Sequence, residues 1–269
     1  MNKELFARNL RIHAQLYELL KEFSRAGIEV ILLKGIALIE LFPDYMHERE
    51  MEDMDLLIKP SKIKKVREII KALGYKKAPL DPDAYYREGT LAAIDITDAL
   101  WYLSTEENAD LWKHSLKIPV QSAVSDVFYL NPVDFYIHVQ AHARIHHAKN
   151  DEKWQKDLAI LKEKFKDNLT DTGLDIWIQK YGLSKALSVS VTDIPRIGHI
   201  SRFAFLPLKK KMIYLFKAIF PSNDFLLNRY DLKNVFEITL YRFSRPFLLF
   251  LETFKLSLSF ISKSEKKNA

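Results

Sequence analysis

Apolar positions near the start of the chain recur at near-helical spacing. Leu5, Leu16, Leu19, Leu20 and Phe23 predict a helix from about Lys3 to Ala26, and Gly27 supplies its stop. The run Glu29 to Leu33, apolar and β-branched, predicts a first strand. After Gly35 the stretch Ile36 to Phe42 predicts a short helix that ends before Pro43, because a residue preceding proline avoids the helical region. A second strand is predicted from about Met51 to Lys59. Pro60-Ser61 opens a helix over Lys62 to Leu73, with Ile63, Val66, Ile69, Ile70 and Leu73 as its inward stripe and Gly74 as its cap. Ala84 to Arg87 and Leu91 to Thr97, joined by Glu88-Gly89-Thr90, read as a hairpin.

From Thr105 onward the pattern becomes mainly helical. A short strand pair, Lys117 to Val120 and Val127 to Leu130, bridges the two regions. Asn131-Pro132 opens a long helix to about His147, with proline well placed in the first turn. Further helices are predicted over Glu152 to Phe165 and Gly173 to Leu187, followed by breaks at Pro195 and Pro207 and by aromatic-rich helices. No repeat period of the kind that builds a solenoid is present. The expected organisation is α+β. A small mixed sheet with flanking helices, including the amino-terminal helix, occupies residues 1–104, and a mainly helical region occupies residues 105–269.

Composition narrows the class. Nearly half of the 269 residues are hydrophobic, with no low-complexity tract, which predicts a folded globular protein. There is no cysteine, so a disulfide scaffold and a Cys-ligated zinc site are excluded, and a reducing cytoplasm is compatible. The start, MNKELFARNLRIH, lacks the apolar run of a secretory signal. A net charge of +6 predicts attraction to polyanions, whether nucleotides, nucleic acid or anionic lipid.

The chemistry concentrates between Val30 and Ile58. Asp53 and Asp55 alternate with Met54, Leu56 and Ile58, so on a strand the two acids project from one face and the apolar residues from the other. Two carboxylates that close oppose each other's ionisation unless a cation lies between them, and a divalent metal is the natural third party. The plain alternative is a strand end facing water. Against it stands the apolar run around the pair, where an unpartnered charge is costly. In the later strand, Ile94 and Ile96 share one face; if they face the core, Asp95 lies opposite, toward the same cleft as the pair. Asp98 then becomes a strand-end residue. A helix starting after Lys34-Gly35 points its free amides toward that turn, which favours an anion there.

The sequence LLKG, then REMEDMDLLI, then an apolar strand with one more acid, resembles the polymerase-β-like nucleotidyltransferase superfamily. Within it the chain looks most like the uncharacterised bacterial nucleotidyltransferases in which Lys-Gly replaces the usual Gly-Ser. The resemblance covers the first hundred residues well and the helical remainder more loosely. It implies that Asp53, Asp55 and Asp95 are catalytic and hold two magnesium ions, one of them bridging the phosphates of a nucleoside triphosphate. Lys34, Gly35 and Arg49 are then the nucleotide-binding residues: lysine a point charge, arginine a two-pronged donor, and glycine a site where backbone comes close to phosphate. Related chains often carry histidine two positions after the third acid; here that position is Thr97.

Three features lie outside this core. His138, His142 and His146 recur every four residues, with Arg144 and His147 nearby. No acid of the H-E-x-x-H kind lies between them, which speaks against zinc. Related chains carry a similar helix followed by a lysine-aspartate region, here Lys156-Asp157, so the preferred expectation is a helix whose His142 and His146 line the nucleotide cleft or pack under it; a hydrogen-bonded interior row is the alternative. Lys209-Lys210-Lys211, with Arg196, Arg202 and Lys217, leaves nucleic acid open as an acceptor, although most such runs are solvated helix faces. In the tail, Arg245, Glu252, Lys255, Ser259 and Ser262 form a narrow polar stripe on an otherwise Phe/Leu-rich helix. Internal charges argue against a membrane span, and the apolar circumference predicts burial within the protein ahead of a partner chain, a second copy or a bilayer surface.

The expected activity is magnesium-dependent transfer of a nucleoside monophosphate from a triphosphate to a hydroxyl on a small molecule, a protein or an RNA end. A catalytically silent nucleotide-binding or interaction module is the alternative; the presence of all three acids favours the enzyme.

Overall fold

Helix α1, Lys3–Arg25, opens the chain and supplies much of its core. The Asn2 side chain accepts from Leu5 N at 3.1 Å, satisfying one of the free amides of the first turn. Ile12, Leu16, Leu19, Leu20 and Phe23 form the buried stripe. Gly27, at φ +59°, adopts the left-handed conformation that ends a helix at little steric cost.

This computed structural model describes residues 2–78, 83–118, 126–147, 151–188, 208–221, 223, 226–227, 236–248 and 251. They belong to two units, Met1–Phe205 and Leu206–Ala269. Within the first unit, strands and helices from both sides of residue 104 share one sheet and core.

In the first unit β1 (Val30–Leu32), α2 (Lys34–Leu41), β2 (Asp53–Ile58), α3 (Ile63–Ala72), β3 (Lys76–Lys77), β4 (Ala84–Tyr86) and β5 (Ala93–Thr97) follow α1. Then come α4 (Thr105–His114), β6 (Leu116–Lys117), β7 (Val127–Tyr129), α5 (Pro132–Ala141), α6 (Glu152–Lys164), α7 (Asp171–Lys180) and α8 (Ser184–Ser188). The strands form one mixed sheet in the order β3-β4-β5-β2-β1-β7-β6. β1 pairs antiparallel with β2 and parallel with β7, while β2 pairs parallel with β5. The hairpin of β4 and β5 turns through Gly89 at φ +81°, as the Glu88-Gly89-Thr90 pattern predicts. Beyond the sheet, α1 packs on α3 and on the 3₁₀ turn Pro43–His47, and α5 packs on α2, α6 and α7.

Several boundaries differ from the sequence pattern. The helix predicted to begin at Ile36 begins two residues earlier, at Lys34. The helix after Asn131 is α-helical only to Ala141 and then widens into a π-helical turn over His142–His147. The stretch Gly173 to Leu187 divides into α7 and α8, with Gly182 at φ +65° between them. β3 is two exposed lysines paired to β4, too short and polar for periodicity to reveal. The predicted strand Lys117 to Val120 is seen as Leu116–Lys117, and its last two residues lie outside the described ones, as do Pro195, Arg196, Arg202 and Pro207.

The second unit contains a helix, Leu208–Ile219, and a helical stretch over 236–248. The expected inward packing of the tail's apolar circumference is not met where the tail is described. Arg245 is 8% exposed, whereas Phe247 is 64% exposed. A helix apolar nearly all round turns only one face inward, and here that face includes Arg245. Glu252 and the rest of the predicted polar stripe lie outside the described residues.

One side chain ties α1 to the loop that precedes β2. Asn9 is fully buried, and its Nδ2 donates to Met46 O at 2.9 Å and Arg49 O at 2.7 Å. Asn9→Ala leaves both carbonyls buried without a donor and is expected to cost about 1–3 kcal/mol, read as a lowered urea midpoint with unchanged slope.

Candidate active site

Strand register creates the site. β2 and β5 run in parallel with Asp55 opposite Asp95 and Asp53 opposite Ala93. Residues level across neighbouring strands point to the same face, and Asp53 is two residues from Asp55, so all three carboxylates leave the same side of the sheet. Met54 and Ile94, between them, are fully buried on the other side. Asp53, Asp55 and Asp95 each offer an oxygen within 4.8 Å of the others. Asp53 is exposed, Asp95 half-buried and Asp55 buried.

Crowding and burial set the proton affinity. Burial pushes the Asp55 carboxyl up to about 6; the Lys34 ammonium works against this, and the charge of Asp53 adds to it. Lys34 Nζ lies 2.5 Å from Asp55 Oδ1, with both side chains largely buried. An ammonium thus already stands as a cation against the most buried of the three acids. A donor set made only of carboxylate oxygens suits a hard divalent cation such as magnesium or manganese.

Lys34 reaches this position through an unusual backbone. It has φ +51°, a left-handed conformation that costs a non-glycine residue about 1–2 kcal/mol. The chain passes there from β1 into α2 within two residues. Gly35 follows, and the reason for glycine is close packing: a Cβ would sit 3.0 Å from Arg49 Nη2, 3.2 Å from Arg49 Cζ and 3.3 Å from Met51 Sδ.

Arg49 is anchored from the helical side of the unit. It is only 5% exposed; its Nε donates to Asp157 Oδ1 at 2.7 Å, and its Nη1 donates to Glu50 O. Tyr45 OH donates to the same Asp157 oxygen at 3.2 Å, and Asp157 is fully buried on α6. The guanidinium therefore forms the floor beneath Gly35. Burial raises the Asp157 carboxyl, and Arg49 opposes that rise.

Residues 2–192 match a protein family described as uncharacterised nucleotidyltransferase. The chain belongs to that family. A solved structure of an antigenic nucleotidyltransferase-like protein from Paracoccidioides brasiliensis is similar at 17% identity and a TM-score of 0.38, over 71% of this chain and 96% of that one. No curated protein sequence matches the chain. The assignment rests on the family match.

In this member of the family the histidines gather beside Lys34. His142 Nε2 lies 3.4 Å from Lys34 Nζ and 2.9 Å from His147 Nε2. The π turn explains the grouping, since its wider winding brings residues four and five positions on to the same neighbour. His146 stacks on His142 with ring centroids 5.0 Å apart, and His147 meets it edge-on at 4.5 Å. Trp154, on α6, packs edge-on against His142 at 5.5 Å. Burial lowers His138 to about 3 and His142 well below the usual histidine range, with Lys34 adding to both effects, so both rings are neutral. His138 is 4% exposed, and neither of its ring nitrogens has a hydrogen-bond partner. The interior row is thus not a hydrogen-bonded one at His138. Among the described residues, the only group of three or more histidines or acids with metal-ligand spacing is Asp53, Asp55 and Asp95.

Thr97 Oγ1 donates to Ala99 O at 2.8 Å. Sequence reading missed the part played by Asp157 and Tyr45. Asp157 was visible only as half of a lysine-aspartate pair, because the 108 residues separating it from Arg49 hide a contact that only folding creates. Trp154 carried no local signal.

Two outcomes are expected. Gly35→Ala forces the pinned guanidinium to move and costs about 1–3 kcal/mol, whereas Asp157→Ala strands a buried Arg49 charge and costs about 3–5 kcal/mol, both checked by urea unfolding. Asp55 must be ionised to hold a cation, so divalent-ion affinity should be full above about pH 7 and fall roughly tenfold per unit below about pH 6. The stability contribution has the opposite trend: with a folded value above the unfolded one, it is present at acid pH and lost as pH rises through about 6. Manganese titration by water-proton relaxation across that range reads the first effect; an affinity independent of pH would remove Asp55 from the ligand set.

Proposed function

We propose that the chain is a magnesium-dependent nucleotidyltransferase that moves a nucleoside monophosphate from a nucleoside triphosphate to a hydroxyl acceptor. The observation that carries this reading is the convergence of Asp53, Asp55 and Asp95 within 4.8 Å in a chain of this family. Those three side chains would hold two magnesium ions, which neutralise charge on the α-phosphate and the departing pyrophosphate and acidify the acceptor hydroxyl.

The chain's own groups do the rest. Lys34 supplies a point charge to the phosphates, and the Lys34-Gly35 turn brings backbone amides of α2 toward them. Arg49, with Nε and Nη1 engaged by Asp157 and Glu50, serves the nucleotide chiefly by holding that turn. Asp95 accepts the proton of the acceptor hydroxyl, and the hydroxyl oxygen forms the new bond to the α-phosphorus as the α–β phosphoanhydride bond breaks and pyrophosphate leaves. His142, through its contact with Lys34, and His146, stacked upon it, line the cleft on the helical side. A triphosphate substrate and a cysteine-free sequence support action in the cytoplasm.

The test is incubation with α-labelled triphosphates, magnesium and cell extract. Label transfer should require magnesium and fall by roughly a hundredfold or more in Asp53→Asn and in Asp55→Asn. Folded protein that neither transfers label nor binds nucleotide in a magnesium-dependent way would sink the proposal.

A further inference from the structure

The basic character of the chain is confined to its end. Residues 206–269 carry twelve Lys and Arg against five Asp and Glu, whereas the preceding 205 residues carry 29 against 30. The same 64 residues hold nine of the seventeen phenylalanines. They lie beyond residues 2–192, where the family match is found, so a nucleotidyltransferase core does not account for them.

Both described helices of this unit turn apolar side chains outward. On Leu208–Ile219, Leu208, Met212 and Phe216 are 76%, 60% and 64% exposed, and Leu215 is exposed beside them. On 236–248, Phe236, Leu240, Phe243 and Phe247 are 77%, 62%, 80% and 64% exposed. Spacings of three and four residues put each set on a single helical stripe. Ile238 and Arg245 are buried, so the second helix has a distinct inward side.

What covers these stripes is indicated by charge. Contiguous exposed apolar surface of this extent marks an interaction site. A second copy would bring another surplus of seven positive charges against the first and be repelled. An anionic bilayer offers acyl chains to the outward-facing Phe and Leu and negative headgroups to a unit with a surplus of seven positive charges. No described helix is long and apolar enough to cross a membrane, which matches a module lying on the surface.

We propose that residues 206–269 form a membrane-surface module whose phenylalanine-rich helix faces enter the headgroup region of an anionic bilayer. This inference does not depend on the catalytic reading.

The full-length chain is tested by flotation with phosphatidylcholine vesicles with and without phosphatidylglycerol. Binding should require the anionic lipid, weaken with salt, and drop at least about tenfold in Phe243→Ser/Phe247→Ser and in Lys209→Glu/Lys210→Glu/Lys211→Glu. Because the chain has no cysteine, Phe243→Cys can carry a single polarity-sensitive dye, which reports even if the multiple variants fold poorly. Its emission should be that of a water-exposed probe in buffer and shift to the blue only with anionic vesicles. Absence of vesicle binding, equal binding to neutral vesicles, or a dye already buried in buffer by the protein or a second copy would each overturn the proposal.

Discussion

Three carboxylates held within 4.8 Å of one another cannot all stay ionised in a partly buried setting without positive charge among them, and much of the first unit answers to that constraint. Asp55 feels it most, being the buried member, and Lys34 is the answer supplied from within the chain. To deliver that ammonium, the backbone accepts a left-handed lysine at the junction of β1 and α2. Strain of this kind persists only where its surroundings determine it, and here they do. Leu33 N donates to Asp55 O at 3.0 Å, locking the turn to the strand that carries the acids.

The support extends outward in shells. Gly35 lies on Arg49, Arg49 is fastened by Asp157, and Asp157 belongs to α6 in the helical half of the unit. Asn9 on α1 grips the backbone of Arg49 from elsewhere in the core. Residues far apart in the chain thus converge on a single turn, and the helices are as much a part of the site as the strands. The histidine row makes a different contribution. Its two most buried rings are held neutral by burial first and by Lys34 second.

The second unit differs in chemical character. The first is nearly balanced in charge and carries the acids; the second holds the cationic surplus together with outward-facing phenylalanines. Concentrating both on the same 64 residues sets the cationic surplus apart from the unit that carries the three acids.

Much of this was legible along the chain. The alternation of Asp53-Met54-Asp55 predicted two acids on one face, and the isoleucines around Asp95 predicted the side from which the third emerges, because strand periodicity is a local property. Helix ends marked by Gly27 and Asn131-Pro132 followed from local capping chemistry, and the mixed sheet with flanking helices was expected from the order of elements. Other features depended on contacts that no local pattern encodes. The register of β2 against β5 sets Asp55 level with Asp95. The left-handed Lys34, the π turn that gathers His142, His146 and His147, the engagement of Arg49 by Asp157, and the outward turn of Phe243 and Phe247 belong with it. Periodicity assigns a residue to a face; which residues meet across that face is decided by packing and by the pairing of buried charges, and those are properties of the folded chain as a whole.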